Sequence, residues 1–118
     1  MKKILLCFLF IVLGASFSYA SDYGKKAIWV AKGQELVKSR LKDPSSAKFR
    51  NLYFIRASVG GAPTVCGEVN AKNSFGGMTG YKRFLSAGTI EFTIIEGDNV
   101  DFEEIWRGMC QGTDKTPM

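Results

Sequence analysis

The run Thr64-Val-Cys-Gly-Glu-Val-Asn-Ala-Lys-Asn73 decides the fold of this chain. Val65, Gly67, Val69 and Ala71 alternate with Cys66, Glu68, Asn70 and Lys72, the period of two that an extended strand imposes on its faces. Cys66 therefore points away from Val65 and Val69. Upstream, Phe49 to Val59 is rich in aromatic and branched residues, and Gly60-Gly61-Ala62-Pro63 separates the two runs. Downstream, Tyr81 to Ala87 is expected to pair with Thr89 to Glu96 through a turn at Gly88. In that last run Ile90, Phe92 and Ile94 alternate with Glu91 and Thr93. Together the four runs predict an antiparallel sheet.

A helix is expected on each side of this sheet sequence. From Asp22 to Lys42, Tyr23, Ala27, Val30, Val37 and Leu41 fall on one stripe at helical spacing. Gly33 interrupts it, at a cost of about 1 kcal/mol relative to alanine, and permits another element to approach closely. Asp43-Pro44 ends the helix, because a residue before proline is pushed out of the α region. At the other end, Asp101 and Glu104 form a capping box ahead of the stripe Phe102, Ile105, Trp106 and Met109. Gly112 stops it, and the tail 112–118 is expected to be loose. The fold class expected is α+β: an N-terminal helix packed on a four-stranded antiparallel sheet, a short C-terminal helix and one disulfide.

The start of the chain reads as an export signal. Lys2 and Lys3 precede an apolar run from Ile4 to Leu13, and Ser18-Tyr19-Ala20 places small residues at the cleavage positions. The apolar run is about half the roughly twenty residues of a bilayer span, and Leu6 before Cys7 is too bulky for a lipobox. Cleavage after Ala20 leaves 98 of the 118 residues, one domain over 21–118, periplasmic or secreted, with no stable membrane anchor. Cys66 and Cys110 then remain as an even pair, which in an exported domain reads as a disulfide worth roughly 4 kcal/mol on chain-entropy arithmetic. The chain has no histidine and no CxxC spacing, so neither a metal pair nor a reactive thiol fits.

Charge is modest in total and uneven along the chain. Beyond the signal there are fourteen bases and eleven acids, a net charge of +3. Asp22 to Arg56 holds nine bases and three acids, whereas Glu91 to Glu104 holds six acids and no base. The bases are not interleaved with stacking aromatics, which argues against nucleic acid as a partner. The acidic run lacks the EF-hand spacing for calcium and reads as a solvated face.

The most distinctive stretch runs from Cys66 to Tyr81. Its candidate binding residues are Asn73, Ser74, Phe75, Gly76, Gly77, Met78, Thr79 and Tyr81. The glycines permit positive φ and a tight loop, but neither the Walker spacing nor GxGxxG occurs. Two readings compete: Phe75 and Tyr81 pack inward to complete the core, or Phe75, Met78 and Tyr81 stand out as a recognition surface. No catalytic set, cofactor or metal site is assigned. Glu68 and Lys72 have no acid–base partner at a recognisable spacing, and Ser74 has no histidine to activate it.

Three motifs carry a resemblance. Leu41-Lys-Asp-Pro-Ser-Ser-Ala-Lys-Phe49, Val65-Cys-Gly-Glu-Val-Asn-Ala-Lys-Asn-Ser-Phe-Gly-Gly77 and Gly80-Tyr-Lys-Arg-Phe84 resemble small exported or lipoprotein-like domains of bacteria and their phages. The resemblance spans roughly residues 36–87. It implies a shared fold and brings no activity with it. The function expected is a non-enzymatic extracytoplasmic protein-binding module, such as an inhibitor or immunity-type protein acting on an envelope enzyme or phage component. The alternatives are an envelope-accessory domain contacting glycan or an anionic surface through the basic helix, and a hydrolase. A deep pocket at Glu68 or Lys72 would favour the hydrolase, and an exposed Phe75–Met78 patch the binding module.

Overall fold

The structure is a computed structural model that describes residues 22–98 and 100–118. The expected signal segment, 1–20, lies outside the described residues. Residues 22–38 are helical (α1), with Val30 and Val37 fully turned into the core. Gly33 does what its position suggested: a Cβ there would lie 3.0 Å from Val65 Cβ, so the helix backbone rests directly on the sheet. The helix stops four residues before the expected Lys42. Arg40 and Leu41 donate their N–H groups to Val37 and Lys38, three residues back, and this tightening precedes a 3-10 turn at Pro44–Ser46.

Five strands form one antiparallel sheet, where four were expected. β1 (Lys48–Arg56), β2 (Pro63–Asn70), β3 (Lys82–Ser86), β4 (Thr93–Ile95) and β5 (Thr116–Pro117) lie in the order β4-β3-β2-β1-β5. The additional strand comes from the tail expected to be loose. Thr116 and Pro117 pair with Phe54 and Tyr53, and Met118 donates its N–H to Leu52. Proline fits there because the strand is at the edge, where one ladder donor is dispensable. A second correction concerns β4. It holds Thr93–Ile95 rather than starting at Thr89, and residues 87–92 fold back as a turn, with Phe92 N–H on Thr89 O and Ala87 N–H on Phe92 O. Ile90 and Phe92 are therefore exposed instead of half-buried. Gly88 sets this turn: its φ is +99°, and the Trp29 ring occupies the place of a side chain, 2.3 Å from where a Cβ would sit.

The sheet buries both of its faces. On the α1 side, Val30, Val37, Phe54, Val65, Val69 and Phe84 form one cluster, with Phe49 edge-on to Phe84. On the other side, Ile55, Cys66, Leu85, Phe102 and Cys110 form a second. The helix α2 (Phe102–Met109) covers that second face. Asp101 caps it by accepting the Glu104 N–H, and Phe102 is its buried anchor. Cys66 and Cys110 form the expected disulfide, with Cα atoms 6.0 Å apart. The Tyr53 hydroxyl donates to Cys110 O at 2.8 Å beside it. Arg83 holds the outer part of the helix. Its guanidinium bonds Glu96 and Glu103 and lies 5.1 and 5.2 Å from the Phe102 and Trp106 ring centres.

Candidate functional site

The loop joining β2 to β3 is a narrow extension organised by one side chain. Asn73 Oδ1 accepts from the N–H groups of Phe75 (2.9 Å) and Gly77 (3.1 Å), while its own N–H bonds Gly77 O at 2.8 Å. Gly76 N–H returns to Asn73 O, and Thr79 N–H bonds Ala71 O. Lys72 and Met78 pair across the base. Gly76 and Gly80 hold φ near +80°, the region only glycine enters without strain. The backbone of residues 71–79 is thus closed on itself, and the side chains at its tip take no part in closing it.

Phe75 is 95% exposed and Met78 42%. The reading in which Phe75 completes the core is corrected by that number. Ser74, Gly76, Gly77 and Thr79 share the exposed tip. Asn73, a candidate contact residue, spends its carboxamide oxygen on the loop itself. Tyr81 does not join the tip. It is half-buried under Arg50, whose guanidinium stacks 3.7 Å from the ring centre.

From Arg50 a polar network continues along the α2 side of the sheet. Arg50 pairs with Glu68 at 3.1 Å, and Asn51 Nδ2 donates to Glu68 Oε1 at 2.6 Å. Asn51 sits at φ +55° within the bulge between Arg50 and Tyr53, a conformation in which asparagine replaces glycine at modest cost. The hydrogen bond from Asn51, followed by that from Arg50, holds the Glu68 carboxyl below the usual range. Glu68 is therefore a fixed anion, poorly suited to donate a proton. An open cleft of about 240 Å³ lies here, lined by Asn51, Tyr53, Glu68, Arg83 and Trp106.

On the α1 side of the same loop a second cleft of about 220 Å³ includes Lys72, Asn73 and Thr79 in its wall. Residues 72–80 are all exposed, so Lys72 and Ser74 lie on open surface rather than in a deep pocket. The exposed Ile90 and Phe92 are a second apolar feature, hidden in the sequence because they mimic a strand. Among the described residues no group of three or more His, Cys, Asp or Glu side chains is placed to hold a metal ion. No helix among them is long and apolar enough to cross a membrane. No protein-family model, curated protein or solved structure gives a significant match to this chain.

Proposed function

We propose that the protein is an extracytoplasmic binding module that engages a protein partner through the loop 73–81. The observation that carries this reading is Phe75, an aromatic side chain 95% exposed on a loop whose backbone is already ordered. Placing it there gains nothing for folding, whereas a pocket on a partner recovers the burial of a full aromatic ring. Because the Asn73 bonds hold the loop, little ordering entropy remains to be lost on association. An exported, disulfide-bonded chain meets partners in the cell envelope or outside it. An inhibitor or immunity-type protein acting on an envelope enzyme or a phage component suits a small domain with a projecting apolar tip.

The test is site-specific photocrosslinking from position 75 in cells that export the protein, with crosslinks compared against a probe at Ser58. A discrete adduct from position 75 alone is expected, and it should disappear when Met78 is also replaced by alanine. Equal adducts from both probes, or none from position 75, would overturn the reading.

A further inference from the structure

We propose that the cleft on the α1 side of the loop is a binding site for a phosphate group. Four cations and two carboxylates line it: Arg40, Lys42, Lys72 and Lys82 against Glu96 and Asp98. Its net charge of +2 compares with +3 for the whole chain beyond residue 20. Both carboxylates are already committed. Asp98 accepts from Arg40 and from the Ile95 N–H, and Glu96 accepts from the guanidinium and the N–H of Arg83. Among the described residues Lys42, Lys72 and Lys82 form no ion pair. Three ammonium groups outside any ion pair thus border one cleft, with Lys82 near enough to Glu96 for its charge to act on that carboxyl.

Their backbones come from three separate segments that the fold fixes. Lys42 lies between α1 and the 3-10 turn, Lys82 pairs with Val69 in the sheet, and the Lys72 N–H donates to Ser46 Oγ at 2.8 Å. Asn73 adds an amide donor. Its Oδ1 is occupied by two N–H groups, which settles the orientation of the carboxamide and leaves Nδ2 without an acceptor among the described residues. The free cations are ammonium point charges, not the planar forks that clamp a carboxylate, and three of them exceed what one carboxylate neutralises. A compact anion with two charges and several acceptor oxygens matches the set. That is a phosphate monoester, either soluble or the headgroup of phosphatidic acid. The site does not depend on what binds Phe75.

The purified protein is titrated with inorganic phosphate at constant ionic strength while amide resonances are followed by NMR. Saturable shifts are expected at Lys72, Asn73 and Thr79, and equivalent acetate should not reproduce them. Replacing Lys42, Lys72 and Lys82 together by glutamine should weaken binding at least about tenfold, with an unchanged unfolding midpoint. Phe75→Ala should leave phosphate affinity unaltered, which separates this site from the loop's partner. Sedimentation with phosphatidylcholine vesicles, with and without phosphatidic acid, distinguishes the source. Selective binding to the anionic vesicles identifies a headgroup, and saturation by phosphate without vesicle binding a soluble ester. Non-saturating shifts, equal shifts with acetate, or a stronger response to an oligoglutamate peptide would overturn the assignment.

Discussion

The two faces of the sheet are closed in different ways. The α1 face is sealed mainly by side-chain burial: a long helix notched at Gly33 rests on Val65, Phe84 is wholly enclosed beneath it, and Lys26 and Arg40 add polar ties at the rim. The other face carries a helix of only 8 residues, in which Phe102 is the buried residue. Phe102 recovers about 1.5–3 kcal/mol, and Ile105, Trp106 and Met109 pack against the same cluster only partly buried, against roughly 1–2 kcal/mol per residue needed to order the backbone. The short helix is accordingly tethered by the Cys66–Cys110 bond and clamped by Arg83. Covalent and ionic ties stand in where apolar area is scarce, as expected in a small domain.

The sharpest test of this contrast is at Phe84, which touches Phe49 edge-on and has no exposed surface. Phe84→Ala should lower the unfolding free energy by about 3–5 kcal/mol, the cost of emptying a buried aromatic site. Denaturant melts check this, and a loss under about 1 kcal/mol would show that the α1 face is not a packed core. Cys110→Ser should cost about 2–4 kcal/mol. The location of the effect matters more than its size. Hydrogen exchange should accelerate across residues 102–109 while Val30, Val37 and the β2 amides stay protected. Uniform loss of protection would mean that the two faces are a single cooperative unit.

Acid should act more weakly and on the α2 side. The hydrogen bonds from Arg83 hold the Glu96 carboxyl below its ordinary value of 4.5, and Asn51 and Arg50 do the same for Glu68. A carboxyl depressed in the folded state contributes stability above pH 4.5, and that contribution is lost as the pH falls through the lower folded value. Below pH 4.5 the clamp on α2 should therefore loosen before the α1 face responds. Glu96→Gln should flatten the acid limb of the stability profile. An unchanged profile in the variant would remove Glu96 from the account. Both carboxylates are well solvated, so the effect is expected to be small.

How far the sequence reveals this arrangement depends on the length and uniqueness of each pattern. β2 was legible because eight alternating positions leave little choice of register, and Cys66 could be placed opposite Val65 from that alternation alone. Gly33 was legible as a close-approach site because a mid-helix glycine needs a packing reason. Thr116–Pro117 was not, since two residues carry no period and their pairing is imposed by the free edge of β1. Ile90 and Phe92 carry the right period for a strand, but the buried bond between Ser86 Oγ and Thr93 Oγ1 fixes the pairing at 86 with 93. The positions before Thr93 are left to close the turn. At the candidate site, glycines predicted a tight loop, yet the direction of Phe75 follows from the two bonds to Asn73 Oδ1, which no periodicity encodes.

The smallest stability effect is expected at that loop, and its smallness is the informative part. Phe75 and Met78 lie outside both apolar clusters. The bonds that shape the loop around them are made by backbone groups, by Asn73 and by the Ser46 and Thr79 hydroxyls, not by Phe75 or Met78 side chains. Replacing both with alanine removes a Phe75 ring that is exposed in the folded and unfolded chain alike and a Met78 side chain that is 42% exposed, so the unfolding free energy should change by no more than about 1 kcal/mol. Asn73→Ala should differ from that double variant. It leaves the Phe75 and Gly77 N–H groups to water, so their exchange should quicken while the core keeps its protection. If the Phe75 and Met78 double variant instead loses several kcal/mol, the loop is packed against something in the folded protein, and the proposed contact surface must be sought elsewhere. If it is neutral while photocrosslinking from a probe at Ser74 is abolished, the loop has a role in binding that folding does not require. The same substitutions made on the α1 face could never separate the two, because there every apolar side chain that is removed also empties the core.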